Sequence, residues 1–306
     1  MVNIILAAYN GGKHITRQLR SLADQTYGEI TVWIRDDGSS DDTVEIIRRF
    51  AAEDHGSKRF ILMEPDGRNL GVPEAFYEIL RKCEPAEYYA LCDQDDYWYP
   101  EKVSRAVAML EKEADPETPA VYFSRCSYQD EEGNVLRESA RQEQPTPLSR
   151  VIYHTPASGF TCVFNEALRK KMILDHRPGK ELHDRYLIRG AVCFGKTIYD
   201  DNCTAAHIRH AGAVTSGDSD YRSLLRHFIR NEILGASAKE EKQWIAEFYR
   251  IFGDELAEED GKVLKLFSAE KGGIGLWARK LFYPARLRSS LPGEIALRLL
   301  FLTNRI

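Results

Sequence analysis

The sequence predicts an α/β domain, with a mostly parallel central sheet and helices on both of its faces, followed by a helical C-terminal extension. Three observations carry this expectation. Short β-branched or apolar runs alternate with helical patterns through roughly the first hundred residues, as in a sheet whose parallel strands are joined by helices. Polar clusters follow the first two runs, at the strand ends where open α/β sheets collect ligands. After about Tyr221 the pattern turns helical and stays so.

Strands are expected at Asn3 to Ala8, Ile30 to Arg35, Phe60 to Met63, Tyr88 to Cys92 and Ala120 to Ser124. Between them, Gly12 to Asp24 sets Ile15, Leu19 and Leu22 on one helical face, and Asp41 to Ala52 does the same with Val44, Ile47 and Ala51. A further helix starts near Pro100. The stretch Gln129 to Pro147 is charged and turn-rich, with a hairpin tip expected at Glu131 to Asn134 and an end at Pro145 and Pro147. It divides a first half, residues 1–125, from a second half, residues 148–217. Residues 218–306 form the helical C-terminal region.

The formal net charge of −5 disfavours nucleic acid as a partner, because phosphate neutralisation needs clustered Lys and Arg. The charge is uneven along the chain. Lys271, Arg279, Lys280, Arg286, Arg288, Arg298 and Arg305 stand against Glu270 and Glu294, about +5 at the C-terminal end and about −10 before it. Six scattered cysteines without a C-x-x-C pair read as buried, reduced thiols. The apolar stretch from Val2 to Ala8, with no basic leader before it, reads as a strand of a cytoplasmic protein. No window approaches the roughly 18 uninterrupted apolar residues of a membrane span.

The chemistry gathers at a few short motifs. Asp93-Gln94-Asp95-Asp96 follows an apolar strand. Three carboxylates at a strand end repel unless a cation sits among them, and hard oxygen ligands suit Mg²⁺ or Mn²⁺ shared with substrate phosphates. The same residues would also serve as a solvated turn capping the next helix, and both readings stay open. Tyr9-Asn10-Gly11-Gly12 and Asp36-Asp37-Gly38-Ser39-Ser40 punctuate the first two strand ends, and Asn69-Leu70-Gly71 precedes a helix.

Taken in order, Ala8-Tyr9-Asn10-Gly11, Asp36-Asp37-Gly38-Ser39, Asn69-Leu70-Gly71 and Asp93 to Asp96 resemble the family 2 glycosyltransferases, inverting enzymes of the GT-A fold, from Val2 to about Gly217. Asp-Gln-Asp-Asp-Tyr-Trp is similar to the subgroup that builds bacterial rhamnose-containing and related surface polysaccharides. The resemblance implies a nucleotide-sugar donor, dTDP-rhamnose or a UDP-hexose, and a glycan or lipid-linked glycan acceptor. It implies that Asp37 hydrogen-bonds a pyrimidine edge, that Ala8 and Tyr9 border the base, and that Asn69 and Gly71 flank its pocket. Asp93 would hold the ribose hydroxyls and Asp95 would ligate Mn²⁺ or Mg²⁺. Trp98 and Tyr97 line the sugar pocket on this reading, and are core aromatics on the other.

The same resemblance places the base in the second half, at His183-Asp184-Arg185-Tyr186 before the helical run Leu187 to Phe194. An inverting transfer needs one carboxylate to take the acceptor hydroxyl's proton, and Asp184 is the candidate. The bland alternative is a helix N-cap. Where many relatives carry an aromatic pair after the Asp, this chain has Arg185-Tyr186. In His207-Ile208-Arg209-His210, His210 occupies the family's position for a metal ligand. Ser158-Gly159-Phe160-Thr161 matches the small-residue stretch near the sugar.

From Ile274 onward, Trp, Phe and Leu interleave with Arg and Lys, a mixture suited to an interfacial helix on anionic lipid at the inner face of the cell membrane. A packed helical subdomain or a homodimer contact would use the same residues. Two other functions compete with glycosyl transfer. A nucleotidyltransferase or dinucleotide enzyme is disfavoured by the lack of G-x-G-x-x-G and of a P-loop Lys. A non-catalytic glycan-binding or scaffold relative is disfavoured by the set Asp37, Asp93, Asp95 and Asp184.

Overall fold

The computed structural model describes residues 1–176, 178–209, 237–269 and 273–302. Strands β1 (Val2–Ala8), β2 (Ile30–Asp36), β3 (Arg59–Leu62) and β4 (Tyr88–Cys92) alternate with helices α1 (Ile15–Ala23), α2 (Thr43–Ala51) and α3 (Glu74–Lys82). Then come β5 (Tyr97–Trp98), α4 (Lys102–Glu113), β6 (Ala120–Gln129), β7 (Val135–Glu138), β8 (Val163–Asn165) and β9 (Lys196–Ile208). Among the described residues they form one sheet in the order β3-β2-β1-β4-β8-β6-β9-β5, with β7 on β6.

The sheet is parallel from β3 to β4 only. Beyond it, β8 runs antiparallel to both β4 and β6, β9 is parallel to β6, and β5 and β7 are antiparallel to their partners. The expected mostly parallel sheet therefore holds for one half, and the other half is mixed. Strands β5 and β8 are two and three residues long, too short for any alternation to show. Strand β9 is interrupted by the polar run Asp200-Asp201-Asn202, and its register with β6 shifts there.

The central strands are buried on both faces, and alternate residues pack into different clusters. Val2, Ile4, Leu6 and Ala8 of β1 share one cluster with Ile15, Leu19 and Leu22 of α1, with Val103, Ala106, Val107 and Leu110 of α4, and with Ile46, Ile47 and Phe50 of α2. Helix α3 packs on β1 and β2 and contributes nothing to that cluster, so both faces are covered. In α2 the buried stripe is Thr43, Ile46, Ile47 and Phe50, not the expected row through Val44 and Ala51. Among the described residues the six cysteines form no disulfide; four are buried and Cys193 and Cys203 are half-buried.

Two compact units are present: Met1–Pro145 with Ala157–His210, and Thr146–Pro156 with Ala211–Ile306. In the second, helices Ser237–Phe252, Glu258–Ser268, Ile274–Leu281 and Leu291–Leu302 surround an aromatic centre in which Tyr153 meets Phe267 edge-on at 5.6 Å and Phe301 at 5.9 Å. Much of the basic charge counted in this region is turned inward. Arg298 donates to Glu294 and to the carbonyls of Lys280, Leu281 and Ala285; Lys280 is buried; Arg288 sits 3.7 Å from Glu241. Arg279 and Arg286 are exposed, and Lys271 and Arg305 lie outside the described residues. On the last helix Leu291, Ile295, Leu299 and Leu302 form an exposed apolar row at helical spacing. No helix among the described residues is long and apolar enough to cross a membrane.

A buried cation lies beneath the first unit's sheet end. Lys102 is fully buried, its Nζ 4.3 Å from the centre of the Trp98 ring and 3.4 Å from the Thr161 carbonyl that accepts from it. Burial pushes its pKa down from 10.5 to about 8. Between these values the unfolded chain holds a proton that the folded chain has released, so this group's contribution to stability rises with pH across that window. Lys102→Met removes the penalty. Its stability advantage over the wild type in denaturant unfolding should be largest below pH 8 and shrink by on the order of 3 kcal/mol towards pH 10.5. A difference that stays constant with pH would show that Lys102 carries no such penalty.

Candidate active site

Three loops meet at the carboxyl ends of β1, β2 and β4. After β1 the chain turns through Asn10 at φ 47°. Its side-chain oxygen accepts from the Ser40 N–H, and its own N–H donates to Ser39 Oγ. The Gly11 and Gly12 N–H groups donate to Thr43 Oγ1 and to Asp41. A Cβ on Gly11 would sit 2.2 Å from Gln94 Oε1 and displace that side chain, whereas one on Gly12, 1.9 Å from Asp42 Oδ1, would push aside the end of an exposed side chain. Gln94 in turn clasps Tyr9 on both sides, accepting its N–H at 2.9 Å and donating to its carbonyl at 3.0 Å. Tyr9 is thereby held with its side chain 49% exposed, a surface on which a flat ring can stack. Ala8 is buried, and its carbonyl accepts the Asp37 N–H.

Asp37 is buried and works as a brace. Its two oxygens accept the N–H groups of Leu70 and Gly71 at 2.9 and 2.7 Å, and Arg35 Nε lies 3.5 Å away. Gly71 adopts φ 69°, a conformation that glycine enters without steric cost, and Asn69 is exposed beside it. The turn and cap duties expected of this segment fall on its neighbours. Asp36 accepts from Gly38 and Ser39 N–H, and Asp41 takes the Thr43 N–H at the start of α2. Each Asp37 oxygen keeps a further lone pair.

After β4 the side chains of Asp93 and Asp95 are half-buried and that of Asp96 is completely buried. Burial, then the charges of Asp96, Asp95 and Asp184, push the Asp93 pKa well up. Asp96 is pushed up to about 6 by burial, against the pull of His207, whose Nδ1 lies 2.8 Å from Asp96 Oδ1. The same hydrogen bond raises the His207 pKa. Asp96 Oδ2 is buried with no hydrogen-bond partner. Among the described residues no three His, Cys, Asp or Glu side chains stand as a ready metal-ligand set. The chemistry of the donors still fits a divalent cation, because mutually repelling carboxylates gain from one and Mg²⁺ commonly takes only one or two protein carboxylates beside phosphates.

Trp98 corrects the sequence reading. It is fully buried in the main cluster beneath Lys102 and offers no face to a sugar. Tyr97 beside it is half-buried. His210, expected as a metal ligand, lies outside the described residues.

Asp184 sits in the first turn of the helix His183–Phe194, one turn earlier than the expected run. It is not the N-cap, which is Leu182; its Oδ1 accepts the Arg185 N–H at 2.7 Å. A carboxylate there is favoured by the helix dipole. His183 stacks on Phe76 with centroids 3.9 Å apart, and burial lowers its pKa. Gly159 packs against this turn, where a Cβ would lie 3.0 Å from His183 Nε2 and 3.5 Å from the Asp184 Cβ, so the small residue has a steric cause. The fold thus brings Asp184 near enough to the β4 turn for its charge to act on Asp93.

The sequence profile of Glycosyl transferase family 2 matches residues 3–176. A chondroitin synthase of Escherichia coli is 33% identical over 136 residues, covering 44% of this chain and 18% of that protein. A UDP-Glc:alpha-D-GlcNAc-diphosphoundecaprenol beta-1,3-glucosyltransferase of Escherichia coli is 31% identical over 143 residues, 44% of this chain and 49% of that one. A dTDP-rhamnosyl transferase of Shigella flexneri is 32% identical over 108 residues, 34% and 36% of the two chains. The chain therefore spans at most about half the length of these curated relatives. In fold it is similar to S. aureus TarS in complex with UDP-GlcNAc, at TM-score 0.58 and 21% identity over 99% of this chain and 87% of that one. It is also similar to a mannosyltransferase from Pyrobaculum calidifontis in complex with GDP-Man and Mn²⁺, at TM-score 0.55 and 19% identity over 99% and 85%. These neighbours are of the GT-A type.

The Asp37 brace has a direct consequence. Asp37→Asn leaves one acceptor for two amides, so denaturant unfolding should show a loss of about 1–3 kcal/mol. The Leu70 and Gly71 amides should exchange faster with solvent. Unchanged exchange at both would show that the loop does not depend on this carboxylate.

Proposed function

We propose that this chain, which belongs to glycosyl transferase family 2, moves a sugar with inversion from a nucleoside-diphosphate donor to a hydroxyl of a glycan or lipid-linked glycan. The observation that supports the reading is the packing of the Asp184 turn on Gly159, whose segment is bonded to β4 through the Leu91 N–H and the Cys162 carbonyl, together with the charge of Asp184 acting on Asp93. An Asp184 carboxylate oxygen takes the acceptor hydroxyl's proton as that oxygen bonds to the anomeric carbon. The bond from that carbon to the diphosphate oxygen breaks on the opposite side, and the diphosphate leaves with the electron pair. Asp37 and Tyr9 hold the base, Asn69 and Gly71 border it, and Asp93 holds the ribose. Asp95, with His210, would hold Mn²⁺ or Mg²⁺, which neutralises the departing diphosphate.

The names of the relatives support the donor and acceptor classes. One is named for dTDP-rhamnose and one for UDP-glucose and an undecaprenyl diphosphate-linked acceptor. A lipid-linked acceptor in surface polysaccharide synthesis would place the protein at the cytoplasmic face of the membrane. The exposed row Leu291, Ile295, Leu299 and Leu302, flanked on neighbouring segments by exposed Arg279 and Arg286, supports a peripheral contact there.

Three measurements bear on this reading. Asp184→Asn should keep donor affinity while transfer falls roughly 10²-fold or more, since the base acts only in the chemical step. Near-normal transfer by that variant would remove Asp184 from the mechanism. Asp95→Asn or excess EDTA should silence both transfer and donor hydrolysis, and full activity in EDTA would remove the cation. A protein with the fold but no hydrolysis of any nucleotide-sugar would be a scaffold instead.

The lipid contact is tested by sedimentation with anionic vesicles. Replacing Leu291, Ile295 and Leu299 by Ser should release the protein, whereas salt should weaken binding only modestly, because among the described residues only Arg279 and Arg286 of the basic side chains counted above are exposed. A protein that ignores vesicles and dimerises through this row would overturn the membrane assignment.

A further inference from the structure

The turn after β4 is anchored at three consecutive residues, each to a different segment of the fold. Gln94 clasps the Tyr9 backbone, the Asp95 carbonyl accepts from Arg17 Nη2 at 3.2 Å, and Asp96 reaches His207 on β9. The third anchor differs in kind. Gln94 and Arg17 tie the turn to β1 and α1 through neutral or singly charged hydrogen bonds to backbone. Asp96 and His207 join two titratable side chains from the two halves of the domain, and Asp96 has no exposed surface.

His207 is itself held in a fixed orientation. It pairs with Tyr128 in the β6–β9 register, Tyr128 meets its ring edge-on at 5.8 Å, and Phe160 lies stacked at 6.0 Å. Phe160 belongs to the Gly159–Thr161 turn that packs against the Asp184 helix. A continuous set of contacts thus runs from the proposed base side through Phe160 and His207 to Asp96 and the acidic turn.

On the reading of Asp95 as a cation ligand, we infer that His207 is a positioning residue for that cation. By donating from Nδ1 to the buried Asp96 carboxylate, it fixes which way the turn faces and so where Asp95 presents its oxygens. The physical basis is the cost of leaving a carboxylate buried without a charge-assisted partner, a cost that a shift of the turn would relieve. Asp96 is too buried to meet substrate, and its contribution is to hold its neighbour. Residues behind metal ligands typically change metal affinity by about 10–100-fold when removed.

The test is calorimetric binding of UDP and of dTDP with saturating Mn²⁺ and again in EDTA, the ratio of the two affinities being the readout. His207→Phe keeps the ring between Tyr128 and Phe160 and removes the Nδ1–H. It should lower the wild-type ratio about tenfold, while affinity in EDTA stays unchanged. His207→Asn, whose side-chain N–H stands near the place of Nδ1, should restore much of it. An unchanged ratio in the Phe variant overturns the proposal, even where its melting temperature falls, because that is the result of a purely structural pair. Should the Phe variant not fold, Asp96→Asn, which keeps size and weakens the bond, should lower the ratio by less, and an unchanged ratio there overturns it equally. A wild type with no metal-dependent binding at all would instead sink the cation reading of the acidic turn.

Discussion

Like-charge repulsion at the carboxyl end of β4 is the constraint around which the first unit is arranged. Asp93, Asp95 and Asp96 leave a single turn, and Asp184 approaches from a distant part of the chain. Two unit charges about 4 Å apart in a partly screened site repel by about 4 kcal/mol, enough to cancel much of a small domain's stability if nothing opposed it. The fold opposes it in separate ways. Asp96 is neutralised in place by His207, Arg17 sits on the backbone of the same turn, and Asp184 occupies a first helical turn whose dipole favours a negative charge. Asp93 is left with a strongly raised affinity for a proton, the mark of a group that gains from an added positive charge.

What the sequence disclosed depended on how locally each feature was encoded. Strands β1, β2 and β4 and helix α1 were legible because their apolar residues repeat over whole elements, and the loops at their carboxyl ends carried Gly, Asn and Asp in patterns with turn geometry. Strands β5 and β8 were not, since their pairing is decided by partners that lie far away in sequence. Trp98 shows the same limit: next to an acidic turn it reads equally as pocket or core, and only the packing of Lys102 and the sheet decides for core. Motif position points to His210 and gives no signal for His207. Its contact with Asp96 joins residues on opposite sides of the domain sequence and has no local signature.

Charge counting at the C-terminal end fails for a related reason. Seven basic residues in the sequence suggest an electrostatic surface, yet Arg298 spends its guanidinium on Glu294 and three carbonyls, and Lys280 is buried. A basic side chain that caps a helix and satisfies backbone acceptors has little field left at the surface. The apolar row on the last helix, invisible to a charge count, is the more distinctive feature of that unit.

The proposed binding residues also hold their own loops, and this shapes how any substitution must be read. Asp37 accepts two loop amides, Gln94 clasps Tyr9, and Asn10 ties the β1 and β2 loops together. A ligand that used Asp37's remaining lone pairs would meet a loop already ordered, so less of its binding energy would go into fixing the site. The same economy means that lost activity in such a variant has two possible sources, a missing ligand contact and a loosened loop. They separate by physical consequence: a loosened loop changes amide exchange and stability without any ligand present, whereas a missing contact changes only the bound state. Asp184 differs from Asp37 in this respect, because among the described residues its carboxylate accepts one backbone amide, that of its neighbour Arg185, where Asp37 accepts two from another loop.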